Sequence, residues 1–214
     1  VTEISYPFVV TADEELQADE IYVCPGADFG TLYSSFYAGI EVTKCKLQMM
    51  RMAAQPNNER IGPALCGGLS LVHYRSFAAA DLSSLKEFFE NEYSDYLKWG
   101  IHVMVSQNET GELTVGDSHE YGSTHDPFDK HFINRMILDY LKKFARFADE
   151  TVIETWNGIY PKLTNGETEL ILQPEEGVTI INCVGGAGMT LSFGLCDEII
   201  DERQTVFFKG LGIE

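Results

Sequence analysis

The stretch VTIINCVGGAGMTLSFGLCDEII, residues 178–200, decides the fold class of this 214-residue chain. Its apolar run ends at Val184, glycines stand at positions 185, 186 and 188, and an apolar pattern then resumes. The pattern predicts a strand buried on both faces, a tight turn and a helix, as in α/β layers. Glycine lets the backbone approach a ligand, and a helix start presents free N–H groups. The turn is therefore either a simple joint or a cradle for an anionic ligand.

Charge and composition exclude several classes of protein. The net charge is −18, from 33 acidic and 15 basic residues, and such a field repels nucleic acid and anionic membrane surfaces. No apolar run reaches the roughly 18 residues that a membrane helix needs, and the first residues lack the basic flank of a signal peptide. The five cysteines form no Cys-x-x-Cys pair, which argues against a disulfide framework or a zinc ribbon. We expect a cytoplasmic globular protein with neither nucleic acid nor membrane as a partner.

Strand patterns recur through the middle of the chain. Residues 43–52 (TKCKLQMMRM, from Thr43) alternate like a half-buried strand, and residues 68–77 (GLSLVHYRSF) are interpreted as another strand. The run TVIETWNGIYPKL at 151–163 is followed by a turn and by TELILQ at 168–173. We expect these last two to pair as a hairpin.

The order of the predicted elements gives the fold class and the domains. Helices are expected to begin at Asp81 and at Asp126, which precedes a proline at the first helical position. We predict an α+β fold, with a mixed or antiparallel sheet and flanking helices over residues 43–163. This domain is inserted into an incomplete α/β layer built from residues 1–42 and 164–214.

Arg51 stands out in the predicted strand at 43–52. It shares one face with Cys45, Leu47 and Met49, and an arginine on an otherwise apolar face is unusual. Either a strand end or bulge turns Arg51 to solvent, or the side chain binds an anion at the floor of a pocket.

Two histidines lie next to tyrosines. In the strand predicted at 68–77, His73 shares a face with Arg75 while Tyr74 points to the other face. His119 and Tyr121, two positions apart, would also share a strand face. Each of these residues is either an edge or core polar side chain or part of a site.

A metal site is not predicted. The segment GDSHEYGSTHDPFDKHF, residues 116–132, mixes three histidines with carboxylates, a combination that can bind a metal. However, no His-x-x-x-His or His-Glu-x-x-His spacing occurs in it. No Gly-x-Ser-x-Gly elbow is present either, and the catalytic residue stays unassigned.

Three motifs in order are similar to those of a known family of flavin enzymes. Cys24-Pro25-Gly26-Ala27 follows an apolar strand, Trp156-x-Gly158-Ile159-x-Pro161 precedes a turn, and Gly185-Gly186-Ala187-Gly188-Met189-Thr190 follows the last strand. The ordered set resembles the D-amino-acid oxidase family over nearly the whole chain. Strings such as KLQM, GDSH-x-YG and GAGMTLSFG resemble a subgroup of FAD-dependent oxidoreductases linked to phosphonate-amine metabolism.

The resemblance implies a cofactor, a reaction and the roles of the domains. FAD would be the cofactor, and a small amine or amino acid would be oxidised by hydride transfer to the flavin. Residues 1–42 and 164–214 would be parts of the FAD-binding domain, and residues 43–163 would bind the substrate. The implied FAD contacts are Gly26, Gly185, Gly186, Gly188, Met189 and Thr190.

The implied substrate contacts are Arg51, His73, Tyr74, His119, Tyr121, Trp156 and Tyr160. Tyr160 stands where many family members carry an arginine that grips the substrate carboxylate, which argues against a simple α-amino acid. The resemblance instead implies an aminophosphonate, whose anionic group Arg51, His73 and His119 would hold by charge-assisted hydrogen bonds.

One departure from the family limits what the chain can do. The Gly-x-Gly-x-x-Gly dinucleotide fingerprint and its acidic ribose ligand are absent from the sequence. We therefore expect a C-terminal portion that binds FAD poorly and is inactive alone. The alternative is a non-catalytic small-molecule-binding domain, and a visible flavin spectrum would distinguish it from the flavin enzyme. A further alternative, a histidine-based metalloenzyme, would have to contain a stoichiometric amount of metal. The sequence leaves open whether the protein forms a homo-oligomer.

Overall fold

The computed structural model describes residues 1–201, and the chain divides into two compact units. Unit 1 contains Val1–Lys44 and the chain from Tyr160 onward, and unit 2 contains Cys45–Ile159. The boundaries predicted from the sequence lie at 42/43 and 163/164. The assignment of the two units to FAD and to substrate stays a prediction.

The chain alternates short strands and helices. The strands are β1 (Glu3–Ser5), β2 (Phe8–Val10), β3 (Glu15–Gln17), β4 (Ile21–Val23), β5 (Val42–Met52), β6 (Leu65–Cys66), β7 (Met104–Gln107), β8 (Leu113–Gly116), β9 (Glu120–Gly122), β10 (Val152–Leu163), β11 (Leu170–Glu175) and β12 (Val178–Asn182). The α-helices are α1 (Ser34–Tyr37), α2 (Leu69–His73), α3 (Ser83–Glu92), α4 (Ser94–Lys98), α5 (His131–Leu141) and α6 (Gly188–Asp201). Short 3-10 turns cover Pro56–Asn58, Arg75–Phe77 and Gly185–Ala187. Within residues 1–201, no helix combines the length and the apolar character needed to cross a bilayer.

In unit 1, β12 is the central strand of a three-stranded sheet. It runs antiparallel to β11 and parallel to β4, with Ile180 opposite Val23. Val178 and Ile180 are fully buried and Ile181 is nearly so, which explains the apolar residues of this strand. The prediction of a strand, a glycine turn and a helix over residues 178–200 is confirmed. A second sheet of this unit contains β1, β2 and β3 in antiparallel order.

Unit 2 is built on a larger sheet with helices packed against it. The strand order is β10-β5-β8-β7-β6, and β9 pairs with β5. Buried residues of β5, β7 and β8 form one core with α2, α3 and α5, for example Met50, Val115 and Ile137. The mixed α/β character predicted from the sequence is confirmed.

The predicted pairing of 151–163 with 168–173 is wrong. Both segments are strands, but β11 pairs with β12, and β10 lies at the edge of the larger sheet beside β5. The turn between them at 164–169 satisfies a hairpin pattern, so the local signal was misleading. The pairing of β10 with β5, which is distant in sequence, replaces the expected hairpin.

From residue 46 onward, the buried face of β5 is the opposite of the apolar face that the sequence indicated, although Cys45 of that face is fully buried. Lys46, Gln48, Met50 and Met52 are almost fully buried, whereas Arg51 is partly exposed. Gln48 can be buried because its side-chain amide is paired: Nε2 donates to the Lys130 carbonyl, and Oε1 accepts a hydrogen bond from the Lys130 N–H. Polar groups can face the core here since they have hydrogen-bond partners.

The prediction of a strand at 68–77 is also wrong, because the segment forms α2 and the 3-10 turn Arg75–Phe77. A short apolar run does not distinguish a strand from a buried helix. The Tyr140 hydroxyl accepts a hydrogen bond from the Leu69 N–H at 2.9 Å, a tertiary contact that favours the helix start. His73 therefore ends a helix and does not share a strand face with residue 75.

The second predicted helix begins later than expected. The helix expected from Asp81 is present as α3 followed by α4. Asp126 Oδ1 does accept the Phe128 N–H at 3.0 Å, but α5 starts at His131. The carbonyls of Asp126 and Phe128 accept hydrogen bonds from Lys46 Nζ at 2.8 and 2.7 Å, which holds this segment outside the helix.

Candidate functional site

Two glycine turns follow the carboxyl ends of the parallel strands β4 and β12 in unit 1. Gly26 has φ +59° and Gly185 has φ +61°, in the left-handed region that favours glycine. A Cβ built at either position would meet no atom of the described chain within 4 Å, so both turns border open space. The carboxyl ends of parallel strands are where open α/β sheets bind ligands.

The buried side chain of Asn182 joins these two turns. Its Nδ2 donates to the Gly26 carbonyl and to the Tyr37 hydroxyl, both at 3.1 Å, and its Oδ1 accepts the Cys183 N–H at 2.7 Å. Asn182 ends β12, so a single residue fixes the spacing between the turn after β4 and the turn after β12. The sequence reasoning missed it, because an asparagine at a strand end gives no signal of a bridging role.

The second turn leads into a helix with exposed first residues. The 3-10 turn Gly185–Ala187 passes into α6 at Gly188, and Met189 is 92% exposed. The first amides of a helix lack intrahelical partners and carry a partial positive charge. Tyr160 lies beside this turn, with its hydroxyl 3.4 Å from the position of a Cβ on Gly186. Unit 1 thus contains Tyr160 and all the predicted FAD contacts: Gly26, Gly185, Gly186, Gly188, Met189 and Thr190.

Three histidines from separate segments meet in unit 2. The ring centroid of His102 is 4.0 Å from that of His73, and the His119 centroid is 4.7 Å from His73 and 4.9 Å from His102. One ligand nitrogen of each residue lies within 4.8 Å of those of the other two. The predicted residues His73 and His119 are therefore neighbours. His102 was missed, because its strand-like surroundings at 101–107 carry no signal of a site.

Asp117 places a carboxyl group next to these histidines. Its Oδ1 lies 3.2 Å from His102 Nε2, and both side chains are buried. Burial, followed by the electrostatic effect of His73 and His119, lowers the pKa of His102 to about 3. Burial raises the pKa of Asp117 to about 7. His102 is therefore an uncharged imidazole at neutral pH.

Two tyrosines flank the histidines. The Tyr74 ring centroid is 5.0 Å from that of His73 and 5.1 Å from that of His102, and Tyr121 stacks 6.2 Å from His119. Burial raises the pKa of both phenols to about 12, so their hydroxyls remain donors at neutral pH. Four predicted substrate contacts thus lie together in unit 2: His73, Tyr74, His119 and Tyr121.

Arg51 lies in a different environment. Its Nη1 is 3.2 Å from Glu154 Oε2 and 3.8 Å from Glu112 Oε2, and its guanidinium carbon lies 5.8 Å from the Trp156 ring centroid. The two carboxylates therefore neutralise the positive charge of Arg51 that would attract a substrate anion. Arg51 and Trp156 contact each other, but the described chain does not bring Arg51 to the three histidines.

These features define a unit with a parallel strand pair and two glycine turns and a unit with a larger sheet within one chain. The chain belongs to the DAO family of FAD dependent oxidoreductases, whose sequence profile matches residues 1–202. FAD is the cofactor of that family, which supports the prediction of FAD for the full-length protein. A comparison with curated proteins found no match.

Solved structures of oxidases and dehydrogenases share the fold. Glycine oxidase from Bacillus cereus ATCC 14579 superimposes with a TM-score of 0.62 at 11% identity, covering 95% of this chain and 49% of that one. Glycine oxidase from Geobacillus kaustophilus gives 0.54 at 14% identity, covering 94% and 46%. L-proline dehydrogenase from P. horikoshii gives 0.63 at 14% identity, covering 94% and 47%. The chain therefore spans about half the length of the solved structures it matches.

Proposed function

We propose that the full-length protein is an FAD-dependent oxidoreductase that oxidises a small amine or amino acid. This chain would supply one part of the FAD site and the substrate-binding unit. The observation that carries the proposal is the pair of open glycine turns at the carboxyl ends of β4 and β12, in a chain of an FAD-dependent family. FAD, when bound, accepts a hydride from the carbon next to the amine nitrogen.

The residues of unit 1 fit such a cofactor. At Gly185 the space that a side chain would fill is open, so the backbone can lie against a flat ring. The first N–H groups of α6 present partial positive charge, which would stabilise negative charge on a bound flavin. Asn182 would keep the Gly26 turn and the Gly185 turn at a fixed separation while the cofactor binds.

We infer that the substrate carries an anionic group, and an aminophosphonate is the candidate. Tyr160 argues against a simple α-amino acid, because it stands where many family members carry the arginine that binds the substrate carboxylate. A different anionic group would then be held by other residues. His73 and His119 offer imidazole groups, and Tyr74 and Tyr121 offer hydroxyls that stay protonated at neutral pH. Together they can orient a tetrahedral anion by hydrogen bonds.

Arg51 contributes less to this proposal than the sequence implied. An anion would have to displace Glu112 and Glu154, which already hold the guanidinium. We therefore assign Arg51 and Trp156 a supporting role in the large sheet of unit 2, and place the anionic group near the histidines.

The proposal is tested with the full-length protein. We expect a yellow protein with flavin absorbance, and bleaching of that absorbance when an amine is added without oxygen. The panel contains an aminoalkylphosphonate, glycine, proline and an uncharged amine of similar size. A protein that stays colourless after incubation with FAD would contradict the proposal and favour a non-catalytic binding domain. Bleaching by glycine or proline, without bleaching by the phosphonate, would overturn only the proposed substrate.

Replacing Gly185 with alanine should weaken FAD binding beyond its effect on folding. The left-handed backbone makes the Gly185→Ala change unfavourable by about 1–2 kcal/mol, and the new methyl group would occupy the open space beside the turn. We expect the FAD dissociation constant of the full-length protein to rise at least about tenfold, about 1.4 kcal/mol. Flavin fluorescence titration measures it.

Gly166 offers the matched control for this variant. It has φ +96° in the same unit, and a Cβ there would also meet no described atom within 4 Å. Gly166→Ala should therefore cause similar backbone strain without weakening FAD binding. Equal losses of FAD affinity in the two variants would contradict the placement of FAD at Gly185.

A further inference from the structure

His102 is a buried imidazole that makes no hydrogen bond within the described part of the chain. Only 1% of the residue is exposed, and neither Nδ1 nor Nε2 has a hydrogen-bond partner there. Asp117 Oδ1 is likewise buried without such a partner, although it lies 3.2 Å from His102 Nε2. Buried polar groups normally have hydrogen-bond partners. Two neighbouring buried groups that lack such partners therefore point to a bound ligand.

His119 is oriented as a metal ligand would be. Its Nδ1 lies 2.9 Å from the Gly100 carbonyl oxygen, and since a carbonyl can only accept, Nδ1 carries the proton. The lone pair is therefore on Nε2. Metal-binding histidines commonly donate their other ring N–H to a backbone carbonyl in this way, which fixes the tautomer and the ring orientation.

We propose that His73, His102 and His119 bind one first-row transition-metal dication through one ring nitrogen each, with the Asp117 carboxyl group at the same site. The three ligand nitrogens already lie within 4.8 Å of one another. An ion about 2.0–2.1 Å from each nitrogen would bring them to about 3.3 Å apart, so the rings draw together on binding. The sequence predicted no metal because its ligands come from three separate segments instead of one spaced motif.

The ligand set selects the class of ion. Imidazole nitrogen suits Zn²⁺, Fe²⁺, Co²⁺, Ni²⁺ and Cu²⁺, whereas Mg²⁺ and Ca²⁺ prefer oxygen ligands. Three imidazoles leave a coordination position for water or for an anion, as in catalytic zinc sites. Unit 2 supplies all of these residues, so the inference does not rest on the proposed flavin chemistry.

Co²⁺ and Zn²⁺ are the probes for the test. The 214-residue chain, prepared without a histidine tag and stripped with a chelator, is titrated with Co²⁺ and followed by visible absorption. We expect one Co²⁺ per chain, a visible spectrum typical of nitrogen and oxygen ligands, and displacement by Zn²⁺. Elemental analysis after gel filtration should give one zinc per chain. Failure of wild type to take up one equivalent of either ion would overturn the proposal.

Single substitutions distinguish this site from adventitious binding. His73→Gln and His102→Gln should each weaken Co²⁺ binding by at least about tenfold. His131→Gln is the matched control, because His131 is an exposed histidine at the start of α5 and should leave binding unchanged. His73 is only partly buried, so its variant reports on the site even where the His102 variant fails to fold. Unchanged binding in the folded His73→Gln variant, or an equal loss in His131→Gln, would contradict the proposal.

Discussion

Replacing Lys46 with methionine should lower the free energy of unfolding of unit 2 by about 3–5 kcal/mol. Lys46 is only 1% exposed, and its Nζ donates to the carbonyls of Asp126 and Phe128 and lies 3.4 Å from Asp129 Oδ1. Methionine keeps most of the volume, so the loss comes from two carbonyls and one carboxylate left without their cation. Urea unfolding followed by tryptophan fluorescence measures the change, because Trp99 and Trp156 both belong to unit 2.

Lys142→Met provides the control for an exposed ion pair. Lys142 Nζ lies 3.0 Å from Glu150 Oε2, and both side chains are about half exposed. Its loss should change the free energy of unfolding by less than about 0.5 kcal/mol. Similar effects of the two substitutions would show that Lys46 does not hold the segment before α5, and would remove our explanation for the late start of that helix.

Local sequence patterns predicted the positions of strands and helices better than they predicted which strands pair with each other. The apolar run 178–184 and its glycines gave β12 and α6 correctly, because a strand buried on both faces needs no information from elsewhere. The partner of β10 could not be predicted, since pairing with β5 joins segments about a hundred residues apart. The segment 68–77 became helical through the contact of Leu69 with Tyr140, which no local pattern contains.

The residues of the candidate sites also differ in whether a local sequence pattern could identify them. Gly26 and Gly185 were named because their motifs resemble those of the family, and both have the positive φ that favours glycine, while their contact with FAD stays a prediction. His73 and His119 were chosen, but His102 between them was not, because their meeting depends on three segments converging in unit 2. Asn182 was missed for a related reason: its hydrogen bonds reach Gly26 and Tyr37, far away in sequence.

The second large effect is expected at Asn182. Asn182→Leu preserves the approximate volume but removes the hydrogen bonds to Gly26, Tyr37 and Cys183. Because the Tyr37 hydroxyl and the Cys183 N–H would stay buried without replacement partners, we expect the free energy of unfolding of unit 1 to fall by about 3 kcal/mol. Asn165→Leu is the control, since Asn165 makes one hydrogen bond in an exposed turn and its loss should change the free energy by about 0.5 kcal/mol at most.

Cys183 reports on this change directly, because both tryptophans lie in the other unit. Its side chain is 2% exposed, and burial raises the pKa of the thiol to about 11, so it reacts slowly in the folded protein. At a fixed pH, Asn182→Leu should increase the labelling rate of Cys183 through more frequent local opening, while Asn165→Leu should not. If Asn182→Leu left both the labelling rate and the FAD affinity of the full-length protein unchanged, the turns after β4 and β12 would not depend on Asn182 for their spacing.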